Sequence, residues 1–95
     1  MINEITIWDE DRGDNNYALW GKIEENGDLK IIGNDIGSGV KAWWGDIDYE
    51  YWYIIDKDWK DTLLLHLLAE KFTLDNTPQP WLDTKQIPYK FGSYV

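Results

Sequence analysis

The 95-residue chain has no cysteine, one histidine and three prolines, and its nine Lys and Arg residues face 18 Asp and Glu. Without cysteine there is no disulfide framework, no thiolate metal site and no cysteine nucleophile. The shortage of bases leaves a formal net charge of −9, which sets the chain against direct contact with nucleic acid, whose phosphates call for Lys and Arg. Long apolar runs are missing as well. The densest, Leu63-Leu64-Leu65-His66-Leu67-Leu68-Ala69, falls far short of the roughly 20 residues a membrane helix needs, so no membrane partner is expected. The N-terminus, Met-Ile-Asn-Glu-Ile-Thr-Ile-Trp-Asp, has neither the basic nor the apolar region of a secretory signal, and a cytoplasmic location is expected.

What is present is aromatic surface. Seven Trp, six Tyr and two Phe sit within an apolar fraction of 43%. Large rings bury more area each than aliphatic side chains, so a short chain can still build a core from them. The composition is that of one folded domain spanning residues 1–95, since a chain this short has no room for two cores. Its acidity is uneven: residues 1–48 hold 11 acids against 4 bases, and residues 49–95 hold 7 against 5. Such a field repels nucleic acid and draws basic partners toward the first half.

Local patterns outline an α+β fold. Ile5-Thr6-Ile7-Trp8 reads as a first strand, followed by an acidic loop from Asp9 to Asn16. Tyr17–Glu24 alternates, with Leu19, Gly21 and Ile23 on one face and Trp20, Lys22 and Glu24 on the other. Asn26-Gly27 predicts a tight hairpin turn into Leu29–Ile32. Gly33 to Gly39 is rich in turn formers and reads as a loop, with one helical turn expected over 40–44. Tyr49–Ile55 is a clear strand, apolar on both faces and therefore expected to be central. Asp56 or Asp58 can cap the helix that follows, from about Trp59 to Phe72, whose Leu63, Leu64, Leu67, Leu68 and Phe72 form an apolar stripe. Thr77-Pro78-Gln79-Pro80 stops that helix and starts a short second one, and residues 87–95 read as extended. The expected assembly is an antiparallel β-meander with one main amphipathic helix and a short second helix packed on one face.

Few residues suggest chemistry. His66 has Glu70 one helical turn away, an ordinary surface pairing, and no serine lies in a nucleophile-elbow pattern. Asp9 to Asn15 is acidic like the start of a calcium loop, but Gly13 and Asp14 stand in the wrong order and Trp20 occupies the twelfth position, so no metal site is assigned. Gly37-Ser38-Gly39 lacks the Lys-Ser/Thr of a phosphate loop. No catalytic residue, cofactor or metal is expected, and the chain reads as a binding protein. The candidate surface combines Trp43 or Trp44 as an anchor, since adjacent rings do not easily point the same way, with Asp35, Asp46, Asp48 and Glu50 as charged contacts, because rings fill pockets while carboxylates meet Lys and Arg.

The stretch Asn26 to Ile55, with Asn-Gly-Asp-Leu-Lys-Ile-Ile-Gly-Asn-Asp-Ile-Gly and Trp-Trp-Gly-Asp-Ile-Asp-Tyr-Glu-Tyr-Trp-Tyr, resembles a family of small bacterial proteins, as do the Leu-rich helix and Ile87-Pro88-Tyr89-Lys90-Phe91. That family is connected with immunity proteins that neutralise toxins delivered between competing bacteria. The resemblance implies a partner, a basic toxin such as a nuclease, and assigns no residue roles. Two other readings remain: a phage-encoded inhibitor of a host nuclease or defence complex, acting by acidic mimicry of nucleic acid, and a carbohydrate-binding module that stacks exposed Trp faces on sugars.

Overall fold

A computed structural model describes residues 1–39 and 48–94. The chain is α+β, with an antiparallel four-stranded meander and two helices among the described residues. It divides into two compact units, Met1–Lys60 and Asp61–Val95.

The first unit is the sheet. Strands β1 (Glu4–Arg12), β2 (Asn15–Ile23), β3 (Leu29–Ile36) and β4 (Asp48–Ile55) lie side by side in chain order. The segment expected as an acidic loop is therefore the end of β1 and its turn. Gly13 turns at a φ of 67°, and Arg12 pairs with Asn15 across a two-residue connection. Glycine at the first central position is what a tight hairpin turn of this hand requires. The carboxylates of Asp9 and Asp11 fall on one face and share the side-chain amide of Asn16, which donates to them at 2.9 and 2.7 Å.

The second turn is wider than Asn26-Gly27 suggested. Glu24 N–H donates to the Asp28 carbonyl at 2.8 Å, Gly27 N–H donates to the Glu24 carbonyl at 2.9 Å, and only Gly27 takes a positive φ, of 95°. This is a three-residue loop closed by glycine. Asn26 instead caps it, its side-chain oxygen accepting from Asp28 N–H at 3.0 Å.

β3 runs straight through Gly33-Asn34-Asp35-Ile36, where turn formers predicted a loop. Both neighbours pair with it without interruption, and cross-strand pairing outweighs the weak strand preference of those residues. The chain leaves β3 at Gly37, and Gly39 N–H donates to the Asn15 side chain at 2.8 Å, so the glycine-rich segment is tied to the start of β2. The helical turn expected over 40–44 lies outside the described residues. β4 is an edge strand of this sheet and not a central one, because a meander leaves its last strand outermost.

A 3-10 turn, Lys57–Trp59, follows β4. Asp56 caps it by accepting from Asp58 N–H at 2.8 Å, and Asp28 accepts from Lys57 N–H at 2.9 Å, which anchors the β2–β3 loop.

The second unit is built on α1 (Lys60–Lys71) and α2 (Pro78–Thr84). Asp61 sits in the first turn of α1 and Lys71 in its last, each suited to the helix dipole. Just past the end of α1, Phe72 meets Trp81 of α2 edge-on at 5.7 Å, while Leu64, Leu67 and Leu68 of the stripe are exposed. α2 begins on Pro78, where a missing N–H costs nothing. It ends with Ile87 N–H donating to the Leu82 carbonyl and Gln86 N–H to that of Asp83, a double closure of the last turn. Residues 87–94 form no strand, and Tyr89 hydroxyl donates to Asp83 at 2.8 Å. No helix among the described residues is long and apolar enough to cross a membrane.

The closure of α2 places Gln86 at a φ of 55°, the left-handed region where a side chain costs about 1–2 kcal/mol. Gln86→Gly should therefore stabilise the protein by about 1 kcal/mol and raise its Tm by several degrees in a thermal melt.

Candidate functional site

Strand alternation and register decide which side chains share a face. On β2, Tyr17, Leu19 and Gly21 point one way. Their partners across the sheet are Asp35, Gly33 and Ile31 on β3, then Tyr49, Tyr51 and Tyr53 on β4. The three tyrosines of β4 form a ladder, with Tyr49 and Tyr51 stacked at 5.4 Å and Tyr51 meeting Tyr53 edge-on at 6.2 Å.

On β1 the alternation is interrupted. Thr6 pairs with Trp20, yet Trp8 pairs with Leu19, so Ile7 is an extra residue in a β-bulge. The bulge reverses the parity of everything after it. Without it, Trp8 would share a face with Thr6 and Trp20; with it, Trp8, Glu10 and Arg12 join the face of Leu19 and the tyrosines.

These residues enclose a concavity of about 440 Å³ lined by Trp8, Glu10, Arg12, Tyr17, Asp35 and Tyr51. Its depth comes from the middle of the sheet. Gly33 has no side chain, and a Cβ there would fall within the Tyr51 ring. Leu19 beside it is the only buried apolar side chain among the described residues. Trp8 lines the concavity and is 46% exposed, so part of its ring remains open to solvent.

The charges are unequal in status. Arg12 donates to Glu10 through Nε at 3.0 Å and Nη2 at 2.8 Å, and both side chains lie exposed. Asp35 is half-buried between Tyr17 and Tyr49 in the register, and among the described residues its carboxylate has no hydrogen bond or ion pair. Burial pushes its carboxyl above the ordinary 3.8. The Tyr51 phenol is likewise raised above 10.0, first by burial and then by the nearby charge of Asp35. A carboxylate partly withdrawn from water beside rings, with no counter-ion among the described residues, favours the arrival of a cation.

The expected binding residues do not all meet here. Asp35 does. Asp48 and Glu50 flank Tyr49 along β4, so the two-residue period sends both to the opposite face, where Glu50 lies in one row with Asp9, Ala18 and Asn34. That face also carries Lys22 and Lys30, with Lys30 Nζ 5.4 Å from the Trp52 ring centre. Trp43, Trp44 and Asp46 lie outside the described residues. Tyr17 was within reach of sequence reasoning, since it alternates with Leu19. Trp8, Glu10 and Arg12 were not, because no local signal marks the bulge. Among the described residues no group of three or more His, Asp or Glu side chains could hold a metal ion. His66 is exposed on α1, remote in sequence from every lining residue.

Comparison of the chain with protein-family models, with curated proteins and with solved structures finds no match.

Two outcomes follow from this geometry. Gly33→Ala should cost about 1–3 kcal/mol in urea denaturation, because the Tyr51 ring must leave its place. Asp35→Asn should be more stable than the parent at pH 7. The folded carboxyl is raised above its unfolded value, so its contribution to stability is complete below pH 3.8 and lost as pH rises through the folded value. The advantage of the variant should accordingly vanish as melts are repeated toward pH 3.8.

Proposed function

We propose that the chain is an acidic protein-binding domain, and specifically a bacterial immunity protein that neutralises a basic toxin, such as a nuclease, by occluding its active site. The observation that carries this reading is the half-buried Asp35, without an ion pair among the described residues, in a concavity walled by Trp8, Tyr17 and Tyr51. A carboxylate partly withdrawn from water, with no counter-ion among the described residues, gives up stability at that position, a loss that binding of a cationic surface would recover. The net charge of −9 supports the same partner by steering.

The acids on the two faces have separate parts in this reading. Asp35 is an anchor contact, desolvated on binding. Asp48 and Glu50, exposed on the other face, add to the long-range field. A phage-encoded inhibitor of a host nuclease would use the same chemistry, and the genes beside this one distinguish the two.

Co-expression with a basic toxin encoded beside it should restore growth and yield a complex that weakens as salt is raised. Asp35→Ala should lower affinity about tenfold or more, chiefly through faster dissociation. The double change Asp48→Asn, Glu50→Gln should alter mainly the association rate and its salt dependence. Absence of both protection and complex would remove the reading.

A further inference from the structure

We infer that the concavity is a socket for one arginine side chain of a protein partner, its guanidinium seated on Asp35 against the Trp8 and Tyr51 rings; this rests on the protein-binding function proposed above. The lining selects the chemistry in three steps. The ring faces of Trp8, Tyr17 and Tyr51 attract cations and repel anions, with Trp the strongest of the aromatic side chains. Arg12 and Glu10, which also line it, offset one another as an ion pair, so the charge left to oppose a phosphate or carboxylate is that of Asp35.

Among cations, a guanidinium is more weakly hydrated than an ammonium and lies flat on a ring, so it enters a partly desolvated aromatic site at lower cost. Its fork also matches a single carboxylate with two parallel hydrogen bonds. Asp35 is the carboxylate available for that fork, since Glu10 already accepts both Nε and Nη2 of Arg12. The space, about 440 Å³, admits a long side chain without repacking the sheet.

The test uses the full chain and small probes. N-acetyl-arginine amide, N-acetyl-lysine amide and a neutral cello-oligosaccharide are titrated while indole N–H resonances are followed by NMR, with the Trp8 signal assigned through Trp8→Phe. The expected result is a saturable shift of the Trp8 signal with the arginine probe. The lysine probe should bind at least about threefold more weakly. Asp35→Asn, which keeps the fold, should lose the arginine response. Three results would overturn the socket: no saturable Trp8 shift, an equal response to lysine, or an arginine response that survives Asp35→Asn. A shift produced by the oligosaccharide in place of arginine would overturn it too, in favour of sugar stacking. No toxin is needed for these titrations. A failed socket therefore leaves toxin binding to be judged by co-expression, and failed toxin binding leaves the arginine response to be judged here.

Discussion

Across the last two strands, the ring of Tyr51 occupies the volume where a side chain at position 33 would stand. The candidate site depends on that substitution of a ring for a missing side chain. It brings an aromatic surface down onto β3 beside Leu19, next to the half-buried Asp35. It also explains why a glycine within a strand is tolerated, since a cross-strand aromatic covers the backbone that glycine would leave bare.

The opposite wall of the concavity rests on a different device. The bulge at Ile7 supplies a single extra residue, and one residue is enough to exchange the faces of a strand. Trp8, Glu10 and Arg12 are delivered to the tyrosine face, while Asp9 and Asp11 are sent to the other and bridged there by Asn16. A bulge beside a binding surface is a recurrent way of re-aiming one side chain without altering the rest of a sheet.

The two faces consequently divide the acidic charge of the sheet. One carries, among the described residues, a single carboxylate without an ion pair, Asp35, in an aromatic setting. The other carries Asp9, Asp11, Asp48 and Glu50 in the open, toward one end, and the lysines at positions 22 and 30 toward the other. Exposed charges act at a distance and are weakened by salt, whereas a desolvated charge acts on contact and demands a matched partner. The sheet has one of each kind, and neither depends on the other.

The amino-acid sequence by itself determined the local elements and their alternation. β-formers and rings at a two-residue period determined β2 and β4 and the sharing of one face by Tyr49, Tyr51 and Tyr53. Asp56 and the proline at position 78 marked helix starts. These are properties of neighbours along the chain, and neighbours are legible. Only the tertiary structure decided the rest. Turn formers at 33–36 joined a strand because β2 and β4 pair with them from both sides. Asp35 was separated from Asp48 and Glu50 because register, not nearness in sequence, assigns a face. Trp8 reached the site through a bulge defined solely against its partner strand. Each outcome depends on a cross-strand pairing, and a pairing has no meaning until two distant segments meet.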